Sequence, residues 1–327
     1  MERESMYSFE GNRVVGDSGA RYPIFNAPIG YFARGALAGA VSAAGGMGLL
    51  ETSSTGLAET QAEYDRIRQT TDAPFGVQLF LRVLAQQGRL DEVLDWALDG
   101  RAGFLVTCVG APGEILPRVR DAGVKLYHQT GSLNDALRAV DAGADGLIVE
   151  GAESGGLRST RSLHLFSFLQ QVRSRVDVPL VAGGGIVDGK GMAGAFALGA
   201  EGVMMGTRFI TSAESPVHLN VKEAIAQADE TVNLEPVKKG IMMRFVRNEM
   251  AEAVARGEID PKGQPYAGPV LEMFENGDLS LAMVGAGESA ALLTEIKTAA
   301  EIIDDTVTGF WREVERVAAL LGPGTTA

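Results

Sequence analysis

The chain has 327 residues, of which 46% are apolar and 22% are charged, and its formal net charge is −13 at pH 7. A chain of this length can bury a large core, and single-domain barrels commonly have this size. The acidic balance argues against a broad surface for nucleic acid or for an anionic membrane. The one cysteine, Cys108, excludes an internal disulfide framework and fits a reducing compartment.

The sequence shows no signal for secretion or membrane insertion. Its first residues lack a basic segment followed by an apolar one, and no apolar run approaches the roughly eighteen residues of a membrane span. We therefore expect a soluble, cytoplasmic protein with no nucleic-acid or membrane partner.

Short β-rich runs alternate with stretches of helical period along most of the chain. The predicted strands are 22–28, 48–51, 75–80, 104–109, 125–129, 146–150, 180–183 and 202–205. The predicted helices between them include 36–44, 57–68, 91–98, 112–122, 133–142 and 163–176. Several helices end in glycine before an apolar strand, which is typical of strands buried on both faces.

Eight such units predict a (β/α)8 TIM barrel, with a doubly wound open sheet as the alternative. No GxGxxG sequence follows the first strand, which argues against the dinucleotide-binding version of the open sheet. The alternation breaks after the eighth strand, where 217–228 and 241–255 have helical patterns and 257–268 is loop-like. We therefore predict a barrel over 1–212 and 284–327, ending in a helical segment over 290–321, and a small, mostly helical capping region over 213–283.

Two glycine-centred turns close the last two predicted strands, and they suggest a phosphate site. The first is Gly183-Gly184-Gly185, and the second is Gly206-Thr207. Turns of this kind at neighbouring strand ends can direct backbone N–H groups at one phosphate. Barrels place phosphate at this position recurrently.

Acid–base residues are scarce at the predicted strand ends. Of the three histidines, His128 is placed for chemistry, because His164 lies in an apolar helix-like stretch and His218 lies at a helix start. Cys108 has no basic neighbour in the sequence, which favours a buried apolar role. No cluster of histidine, cysteine or carboxylate residues has metal-ligand spacing, so we expect no metal.

Six blocks of the chain resemble the nitronate monooxygenase family, formerly the 2-nitropropane dioxygenases. This group includes related FMN-dependent NAD(P)H:quinone reductases and flavin-type enoyl-acyl-carrier-protein reductases. The blocks are 27–30 (APIG), 37–48 (LAGAVSAAGGMG), 74–79 (PFGVQL), 150–156 (EGAESGG), 182–189 (AGGGIVDG) and 199–209 (GAEGVMMGTRF).

The resemblance implies a barrel that binds FMN and acts on a small molecule, with NADH or NADPH as a further reductant and a homodimer as a further expectation. We expect this substrate to be apolar, because Leu157, which follows the Gly155-Gly156 pair, makes the pocket more apolar. The phosphate would rest on the two glycine turns. The flavin ring and the ribityl chain would lie against the implied cofactor residues outside these two turns. The implied cofactor residues are Ala27, Pro28, Ile29, Gln78, Gln129, Glu150, Gly155, Gly156, Gly183, Gly184, Gly185, Met205, Gly206 and Thr207.

The chain departs from the family at the position of its usual catalytic base. Family members carry histidine directly after the Gly155-Gly156 pair, where this chain has Leu157. Some relatives have lysine where this chain has Gln129, and a family glutamine is matched by Glu288. Leucine moves no proton, so His128 or its neighbour Tyr127 would have to take over that step; strand alternation lets only one of the two point inward.

Three hypotheses remain open from the sequence. The leading one is an FMN-dependent oxidoreductase that oxidises nitronates with oxygen, or that reduces a quinone or an enoyl thioester with NAD(P)H. The second is an FMN-binding protein without turnover. The third is a phosphate-binding barrel without flavin, such as an aldolase or isomerase.

Overall fold

A computed structural model describes residues 8–159, 163–238, 241–259 and 268–321. Its main sheet has eight parallel strands in the order β1-β9-β8-β6-β5-β4-β3-β2. The strands are β1 (Ile24–Asn26), β2 (Gly48–Glu51), β3 (Phe75–Phe80), β4 (Phe104–Cys108), β5 (Lys125–Thr130), β6 (Gly146–Glu150), β8 (Leu180–Gly183) and β9 (Gly202–Met205). A smaller sheet holds β7 (Gly156–Ser159), β10 (Thr231–Lys238) and β11 (Ile241–Val246).

Helices connect the barrel strands, and further helices precede β1 or follow β9. They are α1 (Arg13–Ser18), α2 (Gly35–Ala43), α3 (Leu57–Thr70), α4 (Leu81–Gln86), α5 (Leu90–Leu98), α6 (Leu116–Asp121), α7 (Leu133–Ala142), α8 (Leu165–Arg173), α9 (Gly189–Ala197), α10 (Thr207–Ile210), α11 (Leu219–Ala226), α12 (Glu249–Ala255), α13 (Gly268–Asn276) and α14 (Ala299–Leu321). Side-chain caps fix several starts: Ser132 accepts from the Asp135 N–H at α7, and Asp188 accepts from the Gly191 N–H at α9. In the described part of the chain, no helix combines the length and apolar character needed to cross a membrane.

The sheet closes between β1 and β2, which confirms the barrel over the open sheet. One parallel bridge joins Phe25 to Met47. Beside it, the buried Asn26 side chain takes the place of a backbone partner: its Oδ1 accepts from the Leu49 N–H at 2.8 Å, and its Nδ2 donates to the Leu49 carbonyl at 3.2 Å. A single amide side chain thus satisfies both polar groups of one residue at the seam.

Alternate residues of each strand face either the barrel interior or the helices. The interior contains a stack of aromatic rings in which Phe104 lies 5.6 Å from Phe25 and 4.8 Å from Tyr127, measured between ring centroids. The Tyr127 hydroxyl donates to Asp17 at 2.8 Å at the amino-terminal end of the barrel, and burial, followed by the Asp17 charge, raises the pKa of this phenol. The interior is filled at that end, so a cleft can open only at the carboxyl ends of the strands.

The region after β9 was predicted to be mostly helical, but it also contains strands β10 and β11. The segment 241–255 was predicted as one helix, but its first part is strand β11, which pairs antiparallel with β10 and with β7. That prediction was wrong because a short apolar run such as IMMRFV has no period that separates a buried strand from a helix. The helix follows only at α12, where Asn248 accepts from the Ala251 N–H. The predicted loop 257–268 lies partly outside the described residues.

Most of the barrel strands begin and end where the sequence predicts, and two other elements differ. Five of the eight barrel strands have the predicted bounds: β2, β3, β6, β8 and β9. The predicted first strand, 22–28, shortens to β1, and the predicted carboxyl-terminal helix, 290–321, divides into a 3₁₀ turn at Glu288–Leu292 and helix α14.

We predict that Asn26→Ala lowers the free energy of unfolding by about 2 to 4 kcal/mol, because it leaves a buried N–H and a buried carbonyl of Leu49 without these partners. Equilibrium urea denaturation measures the loss. Asn134→Ala is the matched control, since Asn134 is exposed on α7. A loss at Asn26 no larger than in the control would contradict the assigned role of this amide.

Candidate active site

A cleft of about 460 Å³ lies at the carboxyl ends of the barrel strands, beneath the region after β9. Residues from the barrel loops, from the loop after β6 and from the segment 270–289 line it. Predicted site residues in this lining are Ala27, Pro28, Ile29, Gln78, Gln129, Glu150, Gly155, Gly156, Gly184, Gly185, Gly206 and Thr207. The structure therefore brings twelve of the fourteen predicted cofactor residues to one cleft.

The turn after β8 requires glycine twice. Gly184 and Gly185 have φ angles of 95° and 76°, which side chains other than glycine rarely adopt. A Cβ atom on Gly184 would lie 3.1 Å from the Gly151 carbonyl oxygen and 3.2 Å from the Ser154 nitrogen. Because Gly184 has a hydrogen atom in place of Cβ, the backbones of the β8 turn and of the loop after β6 can come into direct contact.

The turn after β9 lies beside it. Gly206 precedes the short helix α10, whose first N–H groups have no partner within the helix. A Cβ atom on Gly206 would touch Ile29 at 3.3 Å and Ala27 at 3.4 Å, so the loop after β1 covers this turn closely. The two turns form a concave surface rich in backbone donors, which suits an anion.

A glycine-rich segment near the carboxyl terminus locks these loops together. A Cβ atom on Gly155 would lie 2.4 Å from the Ala286 carbonyl carbon, and one on Gly287 would lie 2.8 Å from the Glu153 carbonyl oxygen. The Gly287 N–H donates to the Thr207 hydroxyl at 2.9 Å. No local sequence pattern marks Gly287 as a site residue, because its partners Thr207 and Glu153 are distant in the chain.

A row of polar side chains crosses the barrel floor of the cleft. Gln78 Nε2 lies 3.4 Å from Cys108 Sγ and 3.5 Å from Gln129 Oε1, and Gln129 Nε2 donates to Glu150 at 2.9 Å. The Gln78 Oε1 atom is buried and has no hydrogen-bond partner, so it can accept a bond from a ligand. Burial, and then the charges of Glu150 and Glu51, raises the pKa of Cys108, which keeps the thiol protonated and agrees with a buried, apolar role.

Two nearby carboxylates are turned toward backbone donors. Glu51, fully buried at the end of β2, accepts from the N–H and hydroxyl groups of Ser53 and Ser54. Both oxygens of Glu153 lie 3.0 Å from the Leu165 N–H at the start of α8. These bonds fix the orientation of both carboxylates.

Arg244 on β11 ties the loop after β6 to the region above the cleft. It is 3% exposed, pairs with Glu288 at 2.6 Å, and donates to the carbonyl groups of Ala152 at 3.0 Å and Ser154 at 3.3 Å. Its backbone faces Gly156 across the small sheet. Sequence reasoning missed Arg244, since nothing local connects it to a loop ninety positions earlier.

His128 lies outside the cleft. Its ring is fully buried between β5 and α7, with Nδ1 2.9 Å from the Thr107 hydroxyl and Nε2 3.5 Å from Asp135. The bond to His128 lowers the pKa of Asp135. Its neighbours Tyr127 and Gln129 point into the barrel, and Tyr127 points to the closed end. Neither candidate for the missing acid–base group therefore reaches the cleft.

The other two histidines are also peripheral. The His164 side chain is 71% exposed and lies 3.7 Å from Glu153, and His218 caps helix α11 through its Nδ1 atom. None of the three histidines lines the cleft.

Two predicted cofactor residues sit just behind the cleft surface. The side chain of Met205 packs in the outer layer beneath the helices, and Met204 faces the cleft instead. Gly183 accepts from the Gly151 N–H at 2.9 Å and is absent from the lining. Leu157 lies on β7, where its backbone pairs with Met243.

Comparisons with known proteins place the chain among oxidoreductases by family and by fold. The family model for nitronate monooxygenase matches residues 13–309. A probable nitronate monooxygenase of Staphylococcus aureus is 27% identical over 331 residues, which cover 86% of this chain and 93% of that protein.

Other relatives have higher identity. A Mycobacterium tuberculosis dehydrogenase of a hydroxy-methyl-oxo-octahydroindene carboxyl-CoA is 31% identical over 245 residues, which cover 73% of this chain and 67% of that protein. The structure of FabK from Thermotoga maritima superposes with a TM-score of 0.87 at 31% identity and covers 94% of this chain and 99% of that chain.

We predict that His128→Gln lowers the melting temperature but leaves kcat/KM within about twofold of the value for the unmodified protein, because the ring nitrogens face Thr107 and Asp135 outside the cleft. Melting temperature and kcat/KM, measured on the same preparation, separate the two effects. A group that moves a proton in the reaction contributes about 10²–10⁴-fold. A loss of that size in kcat/KM with an unchanged melting temperature would show that His128 takes part in the reaction.

Proposed function

Because the chain belongs to the nitronate monooxygenase family, a family of oxidoreductases, we propose that it is an FMN-dependent enzyme that oxidises nitronates with oxygen. The observation that carries the proposal is the pair of glycine turns after β8 and β9, which face one cleft and offer backbone donors to a phosphate.

The residues that line the cleft support the proposal of FMN as the cofactor. Among the described residues that line it there is neither lysine nor arginine, so a phosphate would be held by neutral N–H groups and by the Thr207 side chain. Gly184 and Gly185 let the β8 turn pack closely against the loop after β6, which holds the turn at the edge of the cleft. The flavin ring would then extend toward Ala27, Pro28 and Ile29, with the unpaired Gln78 oxygen available to a ring N–H group.

Bound FMN would supply the two-electron redox chemistry, while the protein contributes orientation and electrostatics. Gln78 and Gln129 are neutral, and the bond from Gln129 holds Glu150 in place at the edge of the floor. The loop after β6 is fixed by Arg244, which restricts where a ligand can lie over this floor. These residues would bind and orient the cofactor and the substrate, and none of them is a histidine that could act as a base.

The absence of a cleft histidine favours substrates that need no proton removed. A nitronate is already an anion, whereas a neutral nitroalkane must first lose a proton from carbon. The walls of the cleft are apolar, with Ile210, Val270, Phe274 and Met283 on the side after β9. An apolar nitronate therefore fits the site better than a neutral nitroalkane does.

A second candidate is the NAD(P)H-dependent reduction of a quinone or an enoyl thioester. The same apolar wall would accept such a substrate, and one relative carries a carboxyl-CoA compound in its name. An anaerobic titration of the FMN-loaded protein distinguishes the two candidates. Bleaching of the flavin by propyl nitronate supports the first, and bleaching by NADH or NADPH alone supports the second.

We predict that the FMN-loaded protein consumes oxygen with propyl-2-nitronate at a kcat/KM at least about 100-fold higher than with neutral 2-nitropropane, since none of the three histidines lines the cleft to ionise the neutral form. An oxygen electrode measures both rates at one pH. Equal rates with the two forms would contradict the proposal that no base acts in the cleft.

We further predict that Leu157→His raises turnover of the neutral nitroalkane at least about tenfold and leaves the nitronate rate unchanged, because it restores the family residue. Leu157→Gln is the matched control, since it adds polarity without a base near neutral pH. A gain in both variants would assign the effect to polarity rather than to proton transfer.

A further inference from the structure

Two residues other than glycine have left-handed backbone conformations in the described part of the chain. They are Tyr31, with a φ angle of 65°, and Val109, with a φ angle of 53°. Both line the cleft. For a β-branched residue this conformation is a genuine outlier, and such strain persists only where the surroundings impose it.

The backbone around Val109 is held on both sides. Cys108 pairs with Phe80 in the sheet, and the Val109 carbonyl accepts from the Arg82 N–H at 2.9 Å. Glycine follows at Gly110. The strained position carries valine, and this apolar side chain is 49% exposed at the cleft instead of being buried in a core.

The loop that carries Tyr31 is fixed in a similar way. The Ile29 carbonyl accepts from the N–H groups of Phe32 and Ala33, and the Ala33 carbonyl accepts from the Glu51 N–H at 3.1 Å. The Phe32 ring packs against Phe274, with 4.4 Å between ring centroids. Tyr31 is therefore presented to the cleft by a turn that its neighbours determine.

Apolar side chains line the cleft across the barrel from the glycine turns: Phe80 ends β3, and Val83 and Val109 lie after β3 and β4, whereas the two turns follow β8 and β9. Tyr31 follows β1, which lies between β9 and β2 in the barrel, so it borders both sides of the cleft. We call Tyr31, Phe80, Val83 and Val109 the apolar rim. A flavin nucleotide that extends from the turns to Gln78 leaves this rim for a second molecule.

We propose that the apolar rim binds the alkyl chain of the substrate, and that Tyr31 and Val109 determine which chain lengths are accepted. The inference rests on the proposed function, because the cofactor has to fill the opposite side. An apolar side chain kept in a strained, exposed position destabilises the free protein, and substrate contact is the gain that offsets this cost.

Straight-chain carboxylates test the rim without turnover. A carboxylate has the planar, anionic shape of a nitronate and does not react, so its binding to the FMN-loaded protein can be followed through the visible flavin spectrum. We expect the dissociation constant to fall about fourfold for each added methylene from butanoate onward, until the rim is filled.

The variants Val109→Asn and Tyr31→Asn remove the apolar surface and relax the backbone, because asparagine tolerates the left-handed region. We expect each to weaken octanoate binding about tenfold and butanoate binding far less. We also expect a melting temperature about 2 to 6 °C higher, from relief of strain. Val317→Asn is the matched control: Val317 is 44% exposed but lies on helix α14, where no strain is released.

The outcomes separate this inference from the proposed function. A protein that fails to bind FMN overturns the proposed function itself. If the protein binds FMN but the dissociation constants of the carboxylates do not depend on chain length, the role of the rim is overturned. The same holds if both asparagine variants keep the chain-length dependence of the original protein. A steep dependence that the two variants flatten, with the control unchanged, supports it.

Discussion

The site depends on close contacts between backbone segments at glycine residues, which have no side chain to keep the segments apart. The β8 turn reaches the loop after β6 at Gly184, and that loop reaches the carboxyl-terminal segment at Gly155 and Gly287. The Gly287 N–H then bonds to Thr207 at the β9 turn. Four distant parts of the chain therefore fix one concave surface of backbone donors, and a single methyl group at Gly155 or Gly184 would separate them.

The barrel makes this surface the open end of the molecule. Aromatic rings and the bond from Tyr127 to Asp17 fill the amino-terminal end, and the Asn26 amide closes the seam between β1 and β2. Arg244 and Glu288 join the small sheet to the loop after β6. An uncompensated buried arginine would be costly, so the pair and its carbonyl partners act as one unit that positions the loop.

Local signals predicted much of this arrangement. Strand bounds such as 48–51 and 146–150 follow from apolar runs between glycine caps, and glycine turns mark the strand ends that form the cleft. Side-chain direction was harder to predict, because a shift of one residue exchanges inside and outside: Met204 faces the cleft in place of Met205, and His128 faces α7. The contact between Arg244 and Ser154 is non-local and leaves no local pattern to read.

The central claim is that backbone groups at the β8 and β9 turns bind the phosphate of FMN. Calorimetric titration with FMN and with riboflavin, which lacks the phosphate, tests this claim most directly. Because bonds to a charged group contribute about 1.5–3 kcal/mol each, the account predicts binding of FMN at least about 100-fold tighter than riboflavin. Equal affinity for the two flavins, or no heat with either, would contradict it.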